Sequence, residues 1–150
     1  MSLHKIATLA FAGLLAMGAA TAFAQDAFVA PTTPEAAAEV REPLMKLNGS
    51  TLKTAGALTG AEAEAAMQIM LDNFTHMPAV FPEGSNIGDS KALPAIWENW
   101  DAFNAIIDTG KTAAADGLAA AKAGDTTAYL AAVKTLGGTC GTCHQQFRAD

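Results

Sequence analysis

Cysteine occurs only twice in this chain of 150 residues and histidine three times, and that scarcity narrows its chemistry. A closed zinc site wants four ligands, and there is no second Cys/His cluster to complete one. Basic residues are also few: 9 Lys and Arg face 15 Asp and Glu, for a formal charge of −6. So acidic a chain is poorly suited to nucleic acid or to anionic membrane surfaces. No apolar run reaches the ~20 residues that a membrane-spanning helix needs. No stretch alternates apolar and polar residues as a half-buried strand does, and there is no internal repeat or low-complexity tail.

Alanine, by contrast, is abundant. Hydrophobic residues reach 51% of the chain, much of it alanine, while aromatics stay at 7%. Such a composition favours helix, because alanine loses no side-chain entropy there. A core lined by alanine alone is thin, which leaves room for a large, flat group at its centre. The length suits one domain.

Residues 1–24 read as an export signal. Lys5 gives a positive start, an apolar run from Ile6 to Met17 follows, and Ala22-Phe23-Ala24 matches an A-x-A cleavage site. The remaining domain is 25–150, and losing Lys5 takes the charge from −6 to −7.

Turn signals divide that domain into four helices. Thr33-Pro34-Glu35 supplies an N-cap, a first-position proline and a first-turn acid, and the helix runs to about Gly56. Thr59-Gly60-Ala61-Glu62 is a capping-box pattern, with Met67, Met70, Leu71 and Phe74 following at helical spacing. His76 near the end of this helix suits its dipole. Residues 78–92 read as a loop, broken by Pro78, Pro82 and Gly84. A third helix opens near Leu93-Pro94, carries Ile96, Trp97, Trp100, Phe103 and Ile107 on one face, and runs to Ala123. Gly124 then suits a C-cap and Asp125 an N-cap. The fourth stripe is Tyr129, Leu130, Val133, Leu136, Cys140 and Cys143, continued by His144 and Phe147. Short connections and one longer loop predict an all-α, antiparallel four-helix bundle.

The chemistry sits in Cys140-Gly141-Thr142-Cys143-His144. C-x-x-C-H is the spacing of c-type haem attachment. On a helix, positions i, i+3 and i+4 share a face, so both thiols can form thioethers with haem vinyl groups while the imidazole meets the iron. A redox dithiol also uses C-x-x-C, but it wants a strand before the motif and a helix starting at it. A plain disulfide is open to an exported protein. Gly137, Gly138 and Gly141 cost the last helix roughly 1 kcal/mol each relative to alanine, and close approach of a flat macrocycle would explain them.

These features resemble the class II cytochromes c, and among them the cytochrome c′ family. The resemblance spans the domain. It rests on the C-terminal haem motif with Phe147-Arg148, Leu136-Gly137-Gly138 before it, Ile96-Trp97, Phe81-Pro82, and Arg41-x-x-x-Met45. It implies a four-helix bundle with one covalent haem c on Cys140 and Cys143, His144 as the iron ligand, and a homodimer in many members. Arg148 matches an arginine beside the proximal face, and Arg41 one near a propionate. Met45 matches the position facing the vacant or sixth site. Glu42 and Asp89 fall at the haem edge.

Pro43 departs from the pattern. It removes the hydrogen bond to the Glu39 carbonyl and is expected to kink the helix, typically at ~3 kcal/mol, between Arg41 and Met45. With Met45 off the iron, the resemblance implies a five-coordinate site that binds nitric oxide or carbon monoxide, and this is the expected state. With Met45 on the iron, the protein is a low-spin His/Met electron carrier. Haem attachment of this type takes place outside the bacterial cytoplasm, so the expected location is the periplasm and the expected partners are redox proteins. Neither nucleic acid nor, after signal cleavage, a membrane is expected as a partner. An enzyme is not expected either, because peroxidase-like chemistry needs a distal acid–base group and Met45 cannot serve.

Overall fold

Helix caps set most of the boundaries in the structure, a computed structural model that describes residues 28–150. The expected export signal and cleavage site lie outside the described residues. Thr33 caps the first helix, α1 (Pro34–Ala55), by accepting from the Ala36 amide at 3.2 Å. Helix α2 spans Gly60–His76, and a single 3-10 turn, Met77–Val80, leads out of it into the loop. Thr59 occupies the N-cap position of α2 but makes no capping hydrogen bond, so the expected capping box does not form. Gly60 opens that helix at φ 54°, a left-handed entry that a glycine allows.

The third predicted helix is two. A single turn, α3 (Ala95–Glu98), is separated from α4 (Trp100–Ala123) by Asn99 at φ −129°, ψ 46°. The Asn99 side-chain amide bonds back to the Ala95 carbonyl at 3.2 Å, a competing local bond that ends the turn. On α3, Trp97 donates its indole N–H to the Phe81 and Pro82 carbonyls at 3.0 and 3.1 Å and so ties the turn to the loop. Gly124 closes α4 at φ 69°, and Asp125 caps α5 (Thr126–Phe147) by accepting from the Ala128 amide at 2.9 Å. Helix α5 is unbroken through Gly137 and Gly138.

The four long helices close a ring: α1 packs on α2, α2 on α4, α4 on α5, and α5 on α1. Residue pairings run antiparallel throughout. Asn48 accepts from Asn73 at 2.7 Å between α1 and α2, and the Tyr129 hydroxyl donates to the Ala55 carbonyl at 2.8 Å between α5 and α1. Helices α2 and α4 approach closely at two glycines. A Cβ on Gly110 would stand 2.2 Å from a ring carbon of Phe74, and one on Gly117 would stand 2.7 Å from the Met67 sulfur. Met67, Met70 and Phe74 on α2, with Phe103, Ile107 and Leu136, make the core; Met77 joins it from the turn. Leu130, expected in the stripe of α5, is instead 45% exposed.

Helix α1 meets α5 in its C-terminal half, through Leu52 beside Gly137 and Ala55 beside Tyr129. Its N-terminal half stands away from the end of α5, and a cavity fills the gap. Among the described residues there is no strand, and no helix is long and apolar enough to cross a membrane.

Candidate functional site

The cavity, about 940 Å³, is bounded by the first half of α1, the loop through Ala92, α3 with the start of α4, and the last turn of α5. That size sits at the upper end of the ~300–1,000 Å³ typical of cofactor sites. Every expected site residue except Cys140 lines it: Arg41, Glu42, Met45, Asp89, Cys143, His144 and Arg148. Cys140 lies one turn before Cys143, half-buried. Phe81, Ile87, Ile96, Phe103 and Phe147 give the cavity its apolar wall.

Helix α1 brings Arg41 and Met45 to this wall despite Pro43, because the helix runs unbroken from Pro34 to Ala55. Glu39 and Pro43 are both exposed, so water can reach the carbonyl that the proline leaves without a partner. Met45 is half-buried and packs against the core. Glu42 is exposed at the mouth, paired with Lys46 at 2.6 Å, and that pair holds its carboxyl below the ordinary range.

The end of α5 is anchored by an antiparallel bridge to the loop. The Leu93 amide donates to the Phe147 carbonyl at 3.0 Å, and the Ala149 amide donates to the Lys91 carbonyl at 2.8 Å. Ala92 and Arg148 are the bridged pair, which fixes Arg148 on the rim one turn past His144. Burial, and then the charge of Arg148, push His144 below its ordinary pKa. That direction favours the neutral imidazole, the form that binds a metal.

Both thiols are free, and burial pushes both up, Cys143 to about 11 with help from Cys140. A reactive dithiol needs the opposite shift, at a helix start or beside a cation. The motif instead lies in the last turns of a long helix with no strand before it. Among the described residues, no three His, Cys, Asp or Glu side chains gather as a metal cluster, so a closed zinc site is not assembled. Two thiols and one imidazole on one helical face, beside a large apolar cavity, fit a covalently held haem.

Other residues lie away from the cavity. Gly137, Gly138 and Gly141 are exposed and none lines the cavity. A Cβ on Gly138 or Gly141 would meet no protein atom within 4 Å. The glycines that do permit close approach between helices are Gly110 and Gly117, and nothing local in the sequence marks them. Trp97 and Trp100 stand outside the cavity; Trp100 packs on Phe103 with ring centres 5.5 Å apart. His76 is also remote, stacked on Phe28 at 4.1 Å. Ser85 and Ser90, which hold Arg41, carried no signal in the sequence.

Comparison with known proteins agrees with this geometry. The family described as Cytochrome C′ matches residues 35–148. Cytochrome c′ of Rhodospirillum rubrum is 39% identical over 107 residues, covering 71% of this chain and 72% of that protein. Cytochrome c-556 of Agrobacterium fabrum is 38% identical over 117 residues, covering 73% and 79% respectively. The crystal structure of cytochrome c′ from Rubrivivax gelatinosus superposes with a TM-score of 0.72 at 25% identity, covering 79% of this chain and 98% of that one.

Proposed function

The chain belongs to the cytochrome c′ family, and from that membership we propose a periplasmic haem protein whose iron keeps one face open. Cys140 and Cys143 hold the macrocycle and His144 the iron. The haem, when bound, supplies a one-electron centre and a coordination position for a small ligand. The residues around it set its conditions. Burial, and then the charge of Arg148, favours the neutral form of His144, and Phe81, Ile87, Phe103 and Phe147 give the haem an apolar wall.

One observation carries the open-face reading: Met45, the thioether that lines the cavity, is packed against the hydrophobic core. A tight apolar face of this kind suits nitric oxide or carbon monoxide better than a larger, polar ligand. A second reading follows from Met45 lining the cavity at all: there it ligates the iron and the protein is a low-spin electron carrier. Both readings are of a carrier rather than an enzyme; among the described residues the histidine outside the motif, His76, is stacked on Phe28.

We read the protein as a homodimer in which α1 forms the contact. Val40 and Leu47, seven residues apart on one face of α1, are 40% and 44% exposed. The export signal supports the periplasmic assignment, and redox proteins of that compartment are the expected partners.

Visible absorption of the purified protein tests the reading, first oxidised, then reduced, then with carbon monoxide. A high-spin ferrous spectrum that shifts with carbon monoxide is expected. A sharp low-spin spectrum that ignores the gas would put Met45 on the iron, and absence of haem would end both readings.

A further inference from the structure

Arg41 is buried, and its five N–H donors make five hydrogen bonds. Nε and Nη2 both donate to the Val80 carbonyl, at 3.0 and 2.9 Å. Nη1 donates to the Ser85 carbonyl at 3.2 Å and to Ser90 Oγ at 2.9 Å. Nη2 also donates to Ser85 Oγ at 2.5 Å. The guanidinium stacks on the Phe81 ring, 4.2 Å from its centre. No carboxylate is among these partners. Every one belongs to the segment 80–90, 39 to 49 residues away in sequence.

That segment is the cavity's wall: Phe81, Ile87, Gly88, Asp89 and Ser90 all face it. It has no regular structure beyond the turn at Val80, so nothing periodic holds it. Its buried carbonyls at Val80 and Ser85 need donors, and the planar fork of one arginine supplies them. Ser85 is fully buried, as expected of a clamped and not a solvated loop.

We propose that Arg41 is a positioning residue that clamps the 80–90 loop as the wall of the haem cavity. The proposal rests on the haem reading above. Its consequence is that solvent access to the haem depends on hydrogen bonds made well away from the iron. Loosening the wall admits water, which favours the more highly charged oxidised iron and lowers the reduction potential.

The test uses the haem-loaded protein and the variants Arg41→Gln, Arg41→Lys, Ser85→Ala and the double change Arg41→Gln with Ser85→Ala. Hydrogen exchange of amides 81–92 and the midpoint potential against pH are both read. Losing the fork is expected to speed exchange about tenfold or more in Arg41→Gln, and Ser85→Ala several-fold, each with a lower potential. The double variant should match Arg41→Gln, since both changes break one clamp. Arg41→Lys should not restore protection, because an ammonium cannot span both carbonyls.

Unchanged exchange in Arg41→Gln, whatever the pH profile of the potential, would show that Arg41 does not hold the loop and overturn the proposal. Faster exchange with unchanged potential would reduce it to a loop tether and remove its role at the haem. Should Arg41→Gln fail to fold, Ser85→Ala alone decides, because it leaves the charge in place. A protein without haem shows no visible spectrum, so failure of the functional reading is seen separately from the exchange result.

Discussion

Gly110→Ala should destabilise the protein although alanine is the better helix former. The substitution sits inside α4, where alanine by itself gains about 1 kcal/mol over glycine. Against that, the new Cβ would lie 2.2, 2.5 and 2.7 Å from three ring carbons of Phe74. Comfortable carbon contacts begin near ~3.5 Å, so α2 or the ring must retreat by roughly 1.3 Å. Phe74 is 4% exposed and cannot swing into solvent. Overpacking of this kind costs about 1–3 kcal/mol, and a shift this large belongs at the upper end. The net loss is then about 1–2 kcal/mol, or roughly 4–8 °C in Tm at about 4 °C per kcal/mol. Gly138→Ala is the control. Its Cβ meets nothing within 4 Å, so the same chemical change should stabilise by about 0.5–1 kcal/mol. Thermal unfolding of the haem-loaded variants by circular dichroism reads both. Phe74→Leu should recover part of the loss in the Gly110→Ala background and none in the Gly138→Ala one. If Gly110→Ala proves as stable as Gly138→Ala, the α2–α4 approach described above is wrong.

Three further outcomes are expected. Burial raises the pKa of Tyr129, the only tyrosine in the chain, so the unfolded state gives up that proton first. Stability should therefore fall as pH climbs through about 10; Tyr129→Phe should flatten that fall while costing about 1 kcal/mol for the bond to Ala55, as read by urea titration at several pH values. Met45→Ala should leave a high-spin ferrous spectrum unchanged in type and accelerate carbon monoxide binding in stopped flow; conversion from low-spin to high-spin would show that Met45 had been a ligand. Leu47→Glu with Val40→Asp should give a monomer by sedimentation without loss of helix content, and an unchanged sedimentation coefficient would remove α1 from the dimer contact.

Local chemistry made much of this molecule legible beforehand. Thr33, Gly124 and Asp125 mark helix ends because a cap is decided by residues within one turn of it. Cys140, Cys143 and His144 declare haem attachment because helical geometry alone puts i, i+3 and i+4 on one face. The break at Asn99 was also a local matter, but a subtle one: one side-chain amide competing for a carbonyl does not disturb the hydrophobic period around it.

What the chain determined by itself was therefore the set of helices, their ends and the chemistry of one short motif, all of which depend on neighbours a few residues apart. Tertiary structure decided where that motif looks. It set α1 against α5 with a gap between them, spent every donor of Arg41 on a loop some 40 residues away, and made Gly110 rather than Gly138 the indispensable glycine. Those outcomes depend on which helix faces meet and how closely, and contacts between distant segments leave no periodic trace in either segment alone.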